Sequence, residues 1–133
     1  MLILIVDDDP DDREIFCEAV KAIDPKCTCL QAKDGEEGLV LLTEKLVVLP
    51  DFVFLDINMP RITGWECLIE IRKDERLKDL TIIIYSTNSS PVDADKCFSL
   101  GAAFLPKQSE YRTLIQRLSE ILMPDGGRDA VHR

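Results

Sequence analysis

Five short segments that are mostly apolar alternate with five segments of helical periodicity along the chain. Continuous apolar runs are typical of strands covered on both faces. Strict alternation of strand and helix predicts an α/β fold with a parallel sheet and helices on both of its faces. We therefore expect a doubly wound (βα)5 domain with a five-stranded sheet, whose strands cover residues 2–6, 27–32, 52–55, 81–85 and 102–105.

Residues that cap or break helices mark the boundaries between segments. Asp9 followed by Pro10 predicts a helix N-terminus, and Gly101 is typical of the first position beyond a helix. The second helix is predicted over residues 36–45, the fourth over 91–100, and the fifth ends near Met123. Residues 1–123 are expected to form one domain and residues 124–133 a flexible tail. The ten residues after the fifth helix are too few for a further module, so we expect a single-domain protein or a piece of a longer one.

The net charge of −9 restricts the classes of partner. A nucleic-acid-binding protein needs a basic surface, and anionic membranes attract basic segments, so neither nucleic acid nor membrane is expected as a partner. The longest apolar runs are too short for a membrane span, and the N-terminal run lacks the basic start of a signal peptide. We therefore expect a cytoplasmic protein.

The cysteines form an odd set without the partners of a zinc site. Cys27 and Cys29 form a Cys-x-Cys pair, but the only histidine is His132, close to the C-terminus. In a reducing compartment we expect buried thiols at the five positions, which are Cys17, Cys27, Cys29, Cys67 and Cys97.

Acidic, hydroxyl and basic residues stand where the predicted strands end. In a parallel sheet these ends lie at one edge, and the functional crevice of such folds lies just beyond them. Six residues are expected there: Asp7 and Asp8 after strand one, Asp56 after strand three, Ser86 and Thr87 after strand four, and Lys107 after strand five.

Three neighbouring carboxylates repel one another and require a compensating charge. Oxygen ligands without histidine or cysteine favour Mg²⁺, which keeps positions open for a phosphoryl oxygen. Phosphoryl transfer is therefore the chemistry that this set of residues favours. Asp56 is the best candidate nucleophile, because a carboxylate can attack phosphorus to form an acyl phosphate. Lys107 and Ser86 would bind phosphoryl oxygens.

Four sequence segments resemble the response regulator receiver domain of two-component signalling. They are residues 3–9 (ILIVDDD), residues 53–60 (VFLDINMP) with Gly64, residues 84–87 (IYST), and residues 101–107, which end at Lys107. The resemblance extends over about residues 2–122, and each segment lies at a predicted strand end. It implies a flavodoxin-like strand order, 2-1-3-4-5, for a receiver domain over residues 1–123.

The resemblance also implies a role for each site residue. Mg²⁺ would be held by Asp7, Asp8, the phosphoacceptor Asp56 and the backbone carbonyl of Asn58. Lys107 would pair with the phosphate, Ser86 would be the switch hydroxyl and Phe104 the switch aromatic residue, and Thr87 would control access.

A phosphorylation switch rather than a metabolic enzyme is the function that this resemblance implies. A histidine kinase or a phosphotransferase would donate the phosphoryl group from phosphohistidine. The domain would catalyse its own phosphorylation and its own slow dephosphorylation with Mg²⁺. Phosphorylation would shift the face formed by the fourth helix, the fifth strand and the fifth helix (α4-β5-α5), and an unknown downstream protein would bind the shifted form.

Two positions depart from the family pattern. Pro106 precedes Lys107 and Gln108 follows it, whereas the family usually has proline directly after the lysine, with a cis peptide bond between them. A cis Lys107–Gln108 bond would cost about 3 kcal/mol. Phe104 stands where the family often has tyrosine, and a phenyl ring cannot donate a hydrogen bond.

Three alternatives stand beside the signalling hypothesis. A phosphohydrolase with an aspartyl nucleophile would need a second aspartate where Asn58 stands. A flavodoxin-like cofactor binder would need a Gly-, Ser- or Thr-rich first loop, whereas the acidic loop 7–12 repels phosphate. The third alternative is a receiver-shaped module that is never phosphorylated.

Asp11 and Asp12 are interpreted as first-turn acids favoured by the helix dipole.

Overall fold

The computed structural model describes residues 1–87 and 90–124. Within these residues five strands alternate with five helices, as the sequence predicts. Residues 125–133 of the predicted tail lie outside the described part. The strands are β1 (Leu2–Val6), β2 (Thr28–Ala32), β3 (Phe52–Leu55), β4 (Ile82–Ser86) and β5 (Ala103–Pro106), and the helices are α1 (Pro10–Ile23), α2 (Gly35–Val40), α3 (Gly64–Lys73), α4 (Pro91–Ser99) and α5 (Tyr111–Leu122).

The five strands form one parallel sheet in the order β2-β1-β3-β4-β5, which confirms the predicted topology. The register aligns the strand ends: Val6 pairs with Leu55, and Ser86 pairs with Pro106. The residues that follow β1, β3 and β5 consequently lie at the same edge of the sheet. β2 and β5 are the edge strands.

Apolar side chains fill both faces of the sheet. Ile3 and Ile5 of β1 pack with α1 and α5, whereas Leu4 and Val6 pack on the opposite face. This division follows from the strand geometry, in which successive side chains point to opposite faces. Phe54 lies at the centre of the α1/α5 face, with its ring centroid 4.7 Å from that of Phe16. Both layers hold the central strands in a fixed position, and with them the residues at their ends.

Two predicted helix boundaries are confirmed. The side chain of Asp9 accepts a hydrogen bond from the backbone N–H of Asp11 (2.9 Å), which caps α1. Gly101 follows α4 with a φ of 66°, a left-handed conformation that glycine adopts without steric cost. Among the described residues no helix has the length and apolar composition needed to span a membrane.

The second helix and the second strand differ in detail from the prediction. The predicted helix 36–45 is an α-helix only at Gly35–Val40 and continues as a π-helical turn at Leu41–Lys45. Arg76 donates hydrogen bonds to the carbonyls of Leu42 (2.8 Å) and Leu46 (3.3 Å), a long-range contact that periodicity cannot show. β2 begins at Thr28 rather than Cys27, because the N–H of Cys27 donates to Asp24 in a turn.

Candidate functional site

Three acidic side chains meet beyond the carboxyl ends of β1 and β3. Asp7 and Asp56 are buried, with 0% and 7% of their surface exposed, and Asp8 is exposed. One carboxylate oxygen from each of the three lies within 4.8 Å of the others. The structure therefore brings together the three acids that the sequence places at these strand ends.

Lys107 reaches the same cluster from the end of β5. Its Nζ lies 2.7 Å from Oδ2 of Asp7, 2.8 Å from Oδ2 of Asp12 and 3.4 Å from Oδ2 of Asp56. The backbone N–H of Lys107 donates to the carbonyl of Ser86 (2.9 Å), which fixes where the side chain leaves the sheet. Burial opposes the charge of the ammonium, but its contacts with the carboxylates of Asp12 and Asp7 outweigh it and raise the pKa of Lys107. The lysine is therefore a permanent cation in this cluster.

The peptide bond after Lys107 is trans, as are the other peptide bonds of the described residues. The proline-free Lys107–Gln108 sequence therefore avoids the cost of a cis bond. The lysine nevertheless reaches Asp7 and Asp56, so the order Pro106-Lys107-Gln108 is compatible with the convergence.

Asp12 is a member of the cluster that the sequence interpretation missed. It was expected only as a first-turn acid of α1, and it does lie in that turn. Its carboxylate also accepts a hydrogen bond from Nζ of Lys107, 95 residues away in sequence. Because α1 begins directly beyond β1, its first turn lies above the same sheet edge. A helical wheel does not show which first-turn acid faces that edge, so the sequence alone does not assign Asp12 to the cluster.

Burial and mutual repulsion perturb the two inner acids. Desolvation, followed by the charge of Asp7, raises the pKa of Asp56 to about 6, although Lys107 opposes the shift. Desolvation likewise raises the pKa of Asp7. Each carboxylate is oriented by a backbone donor: Ile57 N–H to Oδ1 of Asp56 (2.8 Å) and Asp9 N–H to Oδ1 of Asp7 (2.9 Å). One ammonium thus faces an excess of carboxylates, which favours a further cation.

The donor set of the cluster fits Mg²⁺. All the ligand atoms of the three acids are oxygens, and their spacing allows one ion to bind all three. A hard divalent cation would also relieve the repulsion that raises the pKa of Asp56. Asn58 is exposed two residues after Asp56 in the loop that follows β3, and the role of its backbone carbonyl as a fourth protein ligand stays a prediction.

Ser86 provides a hydroxyl without a partner. It ends β4, between β3 and β5, and is 1% exposed. Its Oγ has no hydrogen-bond partner among the described residues. A buried hydroxyl costs free energy unless it is hydrogen-bonded, so this atom is suited to bind an incoming ligand oxygen. Thr87, next in sequence, is exposed, and Asn88 lies outside the described residues.

Phe104 lies on β5 opposite Ile84 and is half-buried. It packs against the apolar layer between the sheet and helices α3 and α4. Its place next to α4 agrees with a position on the α4-β5-α5 face. An inward movement of the ring stays a prediction.

The loop between β3 and α3 is held by a contact at its base and by ion pairs at the start of α2. Gly64 N–H donates to the carbonyl of Ile57 (2.8 Å), and a Cβ on Gly64 would overlap the carbonyl oxygen of Asp56. Arg61 has a left-handed φ of 68° and forms ion pairs with buried Asp34 and with Glu36 at the start of α2. These contacts restrain the loop that carries Asn58. Sequence reasoning did not identify the Arg61–Asp34 pair, because its members lie 27 residues apart without a shared motif.

Comparison with known proteins agrees with this geometry. The family model described as the response regulator receiver domain matches residues 3–119. The chain belongs to this family. Its members are signalling domains of two-component systems rather than classical enzymes, and the resemblance predicted from the sequence is confirmed.

Individual relatives show the same relationship. The sensor histidine kinase CheAY of Helicobacter pylori is 29% identical over 121 residues, which cover 89% of this chain but only 15% of CheAY. The phosphorylated cyanobacterial phytochrome response regulator RcpA is 26% identical, with a TM-score of 0.80 and coverage of 90% and 91% of the two chains. The response regulator TrrA of Thermotoga maritima, in complex with Mg²⁺-BeF, is 30% identical, with a TM-score of 0.70 and coverage of 91% and 98%.

Proposed function

We propose that the chain is a cytoplasmic phosphorylation switch that accepts a phosphoryl group on Asp56. The donor is a phosphohistidine of a histidine kinase or a phosphotransferase. The observation that carries this proposal is the convergence of the Asp7, Asp8 and Asp56 carboxylate oxygens within 4.8 Å, with Nζ of Lys107 beside them. Phosphorylated RcpA and Mg²⁺-BeF-bound TrrA, both similar in fold, support it.

Asp56 is the nucleophile in the proposed reaction. Its carboxylate attacks the phosphorus, a P–O bond forms, and the P–N bond of the donor breaks with its electron pair leaving on the histidine nitrogen. The N–H of Ile57 holds Oδ1 of Asp56, so the side chain has a fixed orientation for in-line attack. Mg²⁺ held by Asp7, Asp8, Asp56 and the Asn58 carbonyl would neutralise charge on the phosphoryl oxygens.

Two residues bind the transferred group and a third controls access to it. Lys107, now shared among Asp7, Asp12 and Asp56, pairs with one phosphoryl oxygen. Ser86 donates its unpartnered hydroxyl to another. Thr87 is exposed next to Ser86 and controls the access of water to the phosphoryl group. It therefore also controls the rate of the slow autodephosphorylation of Asp56.

The new dianionic group changes the balance between two conformations of the α4-β5-α5 face. Lys107 and Ser86 move towards the phosphoryl group. Ser86 ends β4, and Lys107 follows β5, the strand that carries Phe104 and contacts α4. If phosphorylation stabilises the active conformation over the inactive one by about 2 to 3 kcal/mol, a largely inactive population becomes largely active. A downstream protein that binds the active form then receives the signal.

The proposal is tested with Mg²⁺ and phosphoramidate, whose P–N bond resembles that of phosphohistidine. We expect intact-mass spectra to show one added phosphoryl group with Mg²⁺ and none with a chelator. Asp8→Ala should abolish Mg²⁺ binding in calorimetry and phosphorylation together, because it removes one of the clustered ligands. Asp11→Ala is the matched control in the same segment and should behave as wild type. Unchanged Mg²⁺ affinity in Asp8→Ala would refute the assignment.

A further inference from the structure

Two cysteines outside the acidic cluster lie in contact between α1 and the edge strand β2. The Sγ of Cys17 lies 3.8 Å from the carbonyl oxygen of Cys29 and donates to it, and both side chains pack against the apolar layer between the sheet and α1. Both side chains are half-buried, so small solutes have access to them. The proposed phosphorylation chemistry uses neither residue.

Positive charges surround Cys17 on its own helix. Arg13 and Lys21 lie one turn before and one turn after it on α1, which places all three on one face of the helix. Arg13 also donates from Nε to Oε1 of Gln31 (3.0 Å), which fixes α1 against β2. The neighbouring thiol of Cys29, aided by Gln31 and both cations, lowers the pKa of Cys17 despite burial. Cys17 is therefore the better nucleophile of the pair.

The remaining cysteines have different surroundings. Cys67 and Cys97 are buried in the apolar layer on the opposite face of the sheet. Burial raises the pKa of Cys67 to about 12, and it raises the pKa of Cys97 and Cys27 as well. A thiol that stays protonated is a poor nucleophile, so these three are expected to react slowly.

We propose that Cys17 and Cys29 form a redox-active thiol pair that a peroxide oxidises to a disulfide between α1 and β2. The Cys17 thiolate attacks the O–O bond of hydrogen peroxide, which gives a sulfenic acid and, after protonation, water. The sulfur of Cys29 then attacks the sulfenic sulfur, the S–O bond breaks, and a second water leaves with the thiol proton. Two thiols and one peroxide yield one disulfide and two waters, so the peroxide supplies the whole oxidation.

The disulfide would join two elements that contact the acidic cluster. The guanidinium of Arg13 donates from Nη1 to the carbonyl of Asp7 (2.7 Å), and Asp12 lies in the first turn of α1. β2 pairs with β1 up to Ala32, opposite Val6. A covalent link at residues 17 and 29 would fix α1 relative to β2, which pairs with the strand that precedes Asp7.

The test is oxidation of the full, reduced chain with an equimolar amount of hydrogen peroxide, followed by alkylation, tryptic digestion without reductant and mass spectrometry. We expect a dithiothreitol-sensitive link between peptide 14–21, which contains Cys17, and peptide 27–33, with the loss of two hydrogens. Because Cys27 and Cys29 share that second peptide, Cys27→Ala identifies the partner: the link must persist in it and must be absent from Cys29→Ser. A link that persists in Cys29→Ser, or is absent from Cys27→Ala, would overturn the assignment.

The rate at which Cys17 is alkylated tests the role of the two neighbouring cations. Lys21→Gln removes an exposed positive charge that makes no ion pair among the described residues, so it tests charge without disturbing the fold. We expect it to lower the rate of Cys17 alkylation by iodoacetamide about two- to fivefold at neutral pH. Lys26→Gln, beyond the end of α1, is the matched control. An equal rate in Lys21→Gln would contradict the proposed activation of Cys17.

Discussion

Asp56→Asn should stabilise the metal-free protein at neutral pH, although it removes the proposed phosphoacceptor. Asp56 is buried beside Asp7, and burial and that neighbouring charge disfavour its ionised form. Asparagine keeps an oxygen that accepts the hydrogen bond from Ile57 N–H and removes the negative charge. Lys107 loses only its longest contact, at 3.4 Å, and keeps Asp7 and Asp12 at 2.7 and 2.8 Å.

The magnitude and its pH dependence follow from the pKa of Asp56. The folded protein holds this pKa at about 6, against 3.8 for an unperturbed aspartate. Since one pKa unit corresponds to about 1.4 kcal/mol, ionising Asp56 costs the folded state at most about 3 kcal/mol. A raised carboxyl pKa gives stability that is complete below about pH 4 and is lost as the pH rises through about 6. The cost of ionising Asp56, which asparagine removes, is therefore present in full only above about pH 6.

The assay is urea unfolding of wild type and Asp56→Asn with EDTA, at several values from about pH 4 to about pH 7.5. We expect the variant to be more stable by about 1 to 3 kcal/mol at the highest pH, and the difference to shrink towards the lowest. Asp95→Asn, on the exposed surface of α4, is the control and should change stability by less than about 0.5 kcal/mol. An equally stable or less stable Asp56→Asn at neutral pH would refute the electrostatic reasoning.

Further substitutions test the switch and the loop after β3. Lys107→Ala should still accept the phosphoryl group, but the amide NMR shifts of β5 should no longer respond to phosphorylation; a full response would remove the proposed role of this lysine. Gly64→Ala should destabilise the protein by about 2 kcal/mol or more in urea unfolding, because the added Cβ would overlap the carbonyl oxygen of Asp56. An unchanged unfolding midpoint would show that the loop yields easily.

The sequence predicts those parts of the site that depend on local order. Asp7, Asp56 and Lys107 each follow a strand, and in a parallel sheet such residues meet at one edge, so their convergence follows from topology. The order of the strands came from the family resemblance and agrees with the structure.

Contacts between side chains that lie far apart in the sequence could not be predicted from it. Asp12 joins the cluster because the first turn of α1 lies above the sheet edge, and Arg61 restrains the loop after β3 by pairing with Asp34. The π-helical turn at Leu41–Lys45 has carbonyls that accept hydrogen bonds from Arg76, which lies after α3. These features depend on which side chains tertiary packing brings together, and periodicity records only the face on which a residue lies.

Chemical trapping of the phosphorylated residue tests the central claim most directly. Wild-type protein is incubated with Mg²⁺ and phosphoramidate and then reduced with borohydride, which converts an aspartyl phosphate to homoserine. Tandem mass spectrometry of the digested protein should place homoserine at residue 56 and leave residues 7, 8 and 12 as aspartate. Homoserine at another aspartate, or no Mg²⁺-dependent conversion at all, would contradict the assignment of Asp56 as the phosphoacceptor.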